Sequence, residues 1–103
     1  MPINLTSKQR AALRSMAANT EALHQLGHEG VSLNFIHQIN AALDARELIK
    51  ISVLETCPLG AGEAASELAE ATDSVCVCTI GRKVVLFRTS RKPENRKIDL
   101  RQI

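Results

Sequence analysis

The sequence has 103 residues, 45% of them apolar, and a formal net charge of +2. That length bounds it to one domain, and with Phe35 and Phe87 as its only aromatics the composition argues against stacking several nucleobases on rings. The small net charge hides an asymmetry: residues 1–20 carry Lys8, Arg10 and Arg14 without an acid (+3), residues 21–81 carry Arg46 and Lys50 against nine acids (−7), and residues 82–103 carry eight Lys/Arg against Glu94 and Asp99 (+6).

Basic ends around an acidic middle suggest one-sided contact with an anion; the plain alternative is an uneven solvated surface. The stretch MPINLTSKQR is polar and basic with no apolar run behind it, so no secretory signal is expected. No stretch reaches the ~18 apolar residues of a membrane span. Three cysteines, Cys57, Cys76 and Cys78, are an odd number and do not look like a disulfide framework. The chain reads as a soluble, reduced, cytoplasmic protein.

In chain order, Thr6 as N-cap with Gln9 three residues later forms a capping box and predicts a helix to about Ala18. Leu13 and Met16 are expected on its buried face with Ala12, and Arg10 and Arg14 share another face. Ala22 to Leu26 is a short strand candidate stopped by Gly27. Ser32 caps a second helix, whose apolar positions Leu33, Ile36, Ile39 and Leu43 follow steps of three and four. Leu48 to Leu54 reads as a largely buried strand, and Pro58, Gly60 and Gly62 mark a loop. Glu63 to Thr72 is a third helix. Val75 to Ile80 and Lys83 to Arg88 are strands with only Gly81-Arg82 between them, which suits a type II′ hairpin with Arg82 at its tip. Residues 91–103 form a basic tail in which Ile98 and Leu100 alternate, fit to pair as an edge strand or to pack back on the domain of residues 1–90. Strands joined by helices favour parallel crossovers, and the last hairpin adds an antiparallel pair. The expected fold is α/β, in the order α-β-α-β-α-β-β, with a mixed four-stranded sheet.

The stretch QLGHEGVS, Gln25 to Ser32, sits where a strand ends and a helix begins, a place whose free N–H groups and dipole favour an anion. Gly27 and Gly30 lack side chains, so a phosphodiester backbone can approach closely, as at the GXXG loop of KH modules; a purely structural turn has the same pattern. Three basic elements can add to it: Arg10 and Arg14, Arg82 and Lys83, and the pairs Arg91-Lys92 and Arg96-Lys97. Cys76 and Cys78 alternate in a strand and should face the same side. Without CxxC or paired-histidine spacing they read as small buried residues rather than a metal or redox site. His24, His28 and His37 have no serine or cysteine partner at a suggestive spacing, and the acids show no paired-carboxylate pattern. No enzyme, cofactor, metal or small-molecule substrate is expected.

Several stretches together resemble the CRM (chloroplast RNA splicing and ribosome maturation) domain in its bacterial stand-alone, YhbY-like form. Leu5-Thr6, Lys8-Gln9-Arg10, Leu13-Arg14 and Ala17 resemble the family's opening pattern, and Leu26-Gly27-His28-Glu29-Gly30 falls where it has its LGxxG loop. Glu47 to Ile51, the hairpin from Ile80-Gly81 to Val85-Leu86-Phe87-Arg88, and Arg96-Lys97-Ile98 complete matches that run in the family's order over nearly the whole chain. The resemblance implies a fold akin to the C-terminal domain of bacterial translation initiation factor three, with a loop related to that of KH domains. It also implies RNA binding, with association to precursors of the large ribosomal subunit. The candidate RNA-contacting set is Gly27, His28, Glu29 and Gly30 with Lys8, Arg10, Arg14, Arg82, Lys83, Arg88, Arg91, Lys92, Arg96 and Lys97. Glu29 departs from the lysine, arginine or small residue that many such loops place there. The acidic stretch from Thr56 to Ala71 departs from a usually basic third helix. A protein-interaction module docking on a ribosomal or assembly protein through the acidic middle is the second reading.

Overall fold

The computed structural model describes residues 4–103; residues 1–3, the start of the polar N-terminal stretch, lie outside the described residues. The elements are α1 (Ser7–Ala17), β1 (His24–Leu26), α2 (Leu33–Arg46), β2 (Leu48–Val53), α3 (Ala61–Thr72), β3 (Val75–Ile80) and β4 (Lys83–Phe87), followed by two short 3₁₀ turns, Pro93–Asn95 and Leu100–Gln102. The sheet is mixed, in the order β1-β2-β4-β3. β1 pairs parallel with β2, and β4 pairs antiparallel with both β2 and β3. β4 thus lies between its hairpin partner β3 and the earlier strand β2. This explains why Val84 to Phe87 are all buried: a central strand covered on both faces reads as a continuous apolar run.

Each face of the sheet has its own core. Ile49, Ile51, Val53, Val84 and Leu86 point to α2 and α3 and pack with Phe35, Ile39, Leu43 and Leu68. The alternate residues Leu48, Val85 and Phe87 point to α1 and meet Leu13 and Ala17. Ile98, Leu100 and Ile103 pack on this second core, so the tail folds back in 3₁₀ turns and does not add a strand. The Thr6 capping box is present, its hydroxyl accepting from Gln9 N–H at 3.1 Å and the Gln9 side chain accepting from Thr6 N–H at 3.0 Å. The Gln9 amide also donates to the Leu100 carbonyl at 3.0 Å, which ties helix start to tail.

Three expectations are corrected. Met16 is 40% exposed, because the stripe of α1 that meets the sheet follows Leu13 and Ala17, four apart, and Met16 falls at its rim. Leu33 is 75% exposed: it is the first helical residue after Ser32, and Phe35 takes the buried position. Cys76 and Cys78 do not share a face. Cys76 pairs with Leu86 and Cys78 with Val85, adjacent residues of β4, because a bulge between them leaves Val77 unpaired. One extra residue reverses the alternation, so Cys76 packs on the α2/α3 core and Cys78 on the α1 core. Boundaries also shift: β1 is only three residues long, and α3 begins at Ala61, capped by Gly60, which places Gly62 inside the helix. Among the described residues, no helix is long and apolar enough to cross a membrane.

Candidate functional site

Because β1 and β2 run parallel and β4 returns antiparallel, the end of β1, the end of β2 and the start of β4 meet at one end of the sheet. Residues Gly27 to Gly30 form a turn there, closed by Gly30 N–H donating to the Gly27 carbonyl at 3.0 Å. Gly30 is buried with φ of +66°, a conformation that a side chain disfavours. His28 and Glu29 at the tip are exposed, and their N–H groups donate to no acceptor among the described residues. Ser32 follows as N-cap of α2, its hydroxyl accepting from Phe35 N–H at 3.1 Å.

The neighbouring segment is fastened to this turn. Leu54 N–H donates to the Leu26 carbonyl at 2.9 Å, and a Cβ on Gly27 would lie 3.8 Å from Leu54 Cδ1 and 3.9 Å from Thr56 Oγ1. The hairpin tip arrives beside it. Gly81 has φ of +60° while Arg82 has no positive φ, as a type II′ turn requires. Arg82 donates Nε–H to the Val53 carbonyl at 2.9 Å and Nη2–H to the Leu54 carbonyl at 2.7 Å. It caps the end of β2, yet remains exposed with further N–H donors. Lys83, opposite Ser52, is exposed. Leu33, next to the Ser32 cap, and Leu54, beside Gly27, are both exposed; the helical period alone places Leu33 inside, so this apolar contribution was hidden from sequence reasoning.

The other cations lie elsewhere. Arg10 donates Nη1–H to the carbonyls of Cys76 and Val77 at 2.7 and 2.6 Å, at the bulge of β3. It therefore serves the edge of β3, while Lys8 and Arg14 are exposed on α1. Arg88 is 6% exposed at the far end of β4. It donates to the Asn40 side chain at 2.7 Å, to the Thr72 carbonyl, to the Asn40 carbonyl at 3.1 Å and to Asp44 at 3.0 Å. Arg91 donates to both Asp44 oxygens, the closer at 2.7 Å. The Arg91 hydrogen bonds and the Arg88 charge together hold the Asp44 carboxyl well below the usual carboxylate range, against the opposing effect of burial. Arg96 donates to the Ser90 carbonyl at 2.8 Å. Lys92 and Lys97 stay exposed.

Of the expected set, then, the structure brings Gly27, His28, Glu29, Gly30, Arg82 and Lys83 together at one end of the sheet. It places Arg88, Arg91, Lys92, Arg96 and Lys97 towards the opposite end, Arg10 and Arg14 beside β3, and Lys8 exposed elsewhere on α1. Among the described residues no group of His, Cys, Asp and Glu could hold a metal ion. Cys57, Cys76 and Cys78 are free thiols, and burial pushes the Cys76 thiol up, away from the thiolate that metal binding and redox exchange need.

Similarity to known proteins covers almost the whole chain. The model of the CRS1/YhbY (CRM) domain matches residues 5–88. The chain is 44% identical over 96 residues to a protein of Bacillus subtilis (strain 168) named "Probable RNA-binding protein YqeI", covering 93% of this chain and 98% of that one. Its fold is similar to the solution structure of the hypothetical protein SAV1595 from Staphylococcus aureus, with a TM-score of 0.71, 36% identity, and coverage of 93% of this chain and 100% of the other.

Proposed function

The chain belongs to the CRS1/YhbY (CRM) domain family, and from that premise we propose that it is a non-enzymatic RNA-binding protein of the cytoplasm. Its RNA, on this reading, is ribosomal, bound in precursors of the large subunit during assembly. The observation that carries the reading is the convergence of the glycine turn, whose two tip N–H groups are unpaired among the described residues, and the Arg82–Lys83 hairpin tip. The name of the Bacillus relative supports the class of ligand.

The mechanism follows from the geometry. The N–H groups of His28 and Glu29 donate to phosphate oxygens, and Gly27 lets the sugar–phosphate backbone approach. Arg82 and Lys83 neutralise phosphate charge, and Leu33 and Leu54 lie against the ribose. Contacts of this kind position RNA by its backbone and shape. Arg10, Arg88, Arg91 and Arg96 serve mainly the fold in this account, and Lys8, Arg14, Lys92 and Lys97 add outlying positive charge. The three free thiols suit a reducing compartment.

Binding to precursor large-subunit RNA, measured across a salt series, is the test. The slope of log affinity against log salt should steepen by roughly 0.7 to 0.9 for each phosphate neutralised, so about four contacts give a slope near −3. Salt-insensitive binding, or none at low salt, would sink the proposal; equal affinity for unrelated RNA would remove its ribosomal part. A Glu29→Lys variant replaces a repulsive charge by an attractive one at the turn tip. It is expected to bind roughly threefold to tenfold more tightly at low salt, consistent with about 1 kcal/mol for a charge pair in water. No gain would place the tip away from phosphate.

A further inference from the structure

A cleft of about 450 Å³ opens at the other end of β1, lined by Thr20, Glu21, Leu23, His24, Arg46 and Lys50 among others. Arg46 and Lys50 are the only cations of residues 21–81. The fold brings both to this one cavity: Arg46 ends α2, Lys50 lies in β2 on the face away from α2, and the linker before β1 closes the side. Neither side chain makes an ion pair or hydrogen bond among the described residues. Leu23 at the rim is 52% exposed. His24 Nδ1 lies 2.9 Å from the Gln38 amide nitrogen. That amide can only donate, so Nδ1 accepts and the ring proton sits on Nε2. Burial and the Arg46 charge push the His24 pKa down, which keeps the ring neutral. Glu21, also at the rim, is the one acid among the named groups.

We propose that this cleft is a second RNA subsite, which takes one nucleotide of the strand whose backbone crosses the glycine turn. Arg46 and Lys50 hold its phosphate, Leu23 packs on the ribose or base, and His24 Nε2–H donates to an RNA acceptor. The inference rests on the RNA-binding reading and adds a path to it. β1 is the outer strand of the sheet and joins the two sites directly: His24 lines the cleft, and Gly27 opens the turn three residues on. At about 3.3 Å per residue the two are roughly 10 Å apart, so an RNA strand laid along the β1 edge reaches both.

The test compares the whole protein with an Arg46→Ala/Lys50→Ala variant in binding a short mixed-sequence single-stranded RNA across a salt series. One phosphate no longer neutralised should make the salt slope shallower by about 0.7 and lower the affinity at low salt roughly tenfold. An Arg46→Lys/Lys50→Arg variant keeps both charges and should retain most of the binding. Amide chemical shifts of Leu23, His24 and Lys50 in the wild-type protein should move on saturation with the same RNA, a readout independent of how any variant folds. Unchanged shifts at these residues, or a double-alanine variant with the wild-type slope, overturn the cleft and leave the RNA reading standing. If the wild-type protein binds no RNA at low salt, the RNA reading fails and the cleft with it.

Discussion

Replacing Glu47 by alanine is expected to lower the unfolding free energy by about 2–4 kcal/mol and to release the C-terminal tail. Glu47 is 0% exposed. Its Oε2 accepts from Ser90 N–H at 2.8 Å, and its Oε1 accepts from Lys97 N–H at 2.7 Å and Ile98 N–H at 2.9 Å. Alanine removes the acceptor of three backbone donors at once. The loss is bounded because the tail can swing into water and hydrate those donors, at the cost of the packing of Ile98, Leu100 and Ile103 on the α1 core. Glu47 also has φ of +66°, a conformation that costs a non-glycine residue of order 1–2 kcal/mol. Glu47→Gly should therefore be less harmful than Glu47→Ala, since it relieves the backbone while losing the same carboxylate. Urea unfolding and tryptic cleavage after Arg96 and Lys97 are the measurements. An alanine variant within about 0.5 kcal/mol of wild type and with an uncut tail would show that the carboxylate is not the staple.

The same carboxylate gives a pH dependence of known sign. Burial alone would push the Glu47 carboxyl up, but hydrogen bonds from Lys97, Ile98 and Ser90 and the nearby Arg96 charge outweigh it and hold the group below its ordinary value. A depressed folded value means that the anion's contribution is fully present above the unfolded carboxylate value of about 4.3 and fades as pH falls through the folded one. Asp44, held well down mainly by Arg91, behaves the same way. Stability should thus fall below about pH 4, with the tail released first. In Glu47→Ala this acid-dependent part of the loss should shrink.

These two acids also show where sequence reasoning reached its limit. Composition presents an acidic middle and a basic C-terminal stretch, and both look like outward-facing charge. The fold instead brings Asp44 and Glu47, at the end of α2, against residues 88–98, so part of the basic tail is neutralised from within. No local pattern reveals this, since the partners are more than forty residues apart in sequence. What was legible is local. The capping box at Thr6, the helical period through Ile39 and Leu43, the β-branched run from Leu48 and the glycine of the hairpin each specify an element by short-range physics. The insertion of β4 between β2 and β3, and the bulge at Val77 that separates the two thiols, depend on long-range pairing and were not. At the candidate site the glycine turn could be read directly. Its alignment with Arg82 follows from the strand order, and the meeting of Arg46 and Lys50 in one cleft follows from how β2 lies beside the end of α2.

Placing an aspartate at Gly27 is expected to weaken RNA binding roughly tenfold to a hundredfold while leaving the fold intact. The expected cost, about 1–3 kcal/mol, is that of a new anion within a few ångströms of bound phosphate in a partly solvated site. Gly27 suits this probe better than Gly30. A Cβ at Gly27 meets only ordinary contacts, Leu54 Cδ1 at 3.8 Å and Thr56 Oγ1 at 3.9 Å, and no positive φ is involved. Gly30 at φ of +66° cannot take a side chain without strain of about 1 kcal/mol or more, so a loss of binding there would mix folding with contact. Gly27→Ala separates sterics from charge: it tests only how closely the backbone of the ligand approaches. Glu63, Glu67 and Glu70, exposed on α3, remain untouched in both variants. A protein partner docking on the acidic face would therefore bind Gly27→Asp as it binds wild type, whereas RNA held at the turn would be lost. If Gly27→Asp, with an unchanged thermal midpoint, kept wild-type affinity for RNA, the phosphate would have to lie elsewhere, and the turn would be no more than the link between β1 and α2.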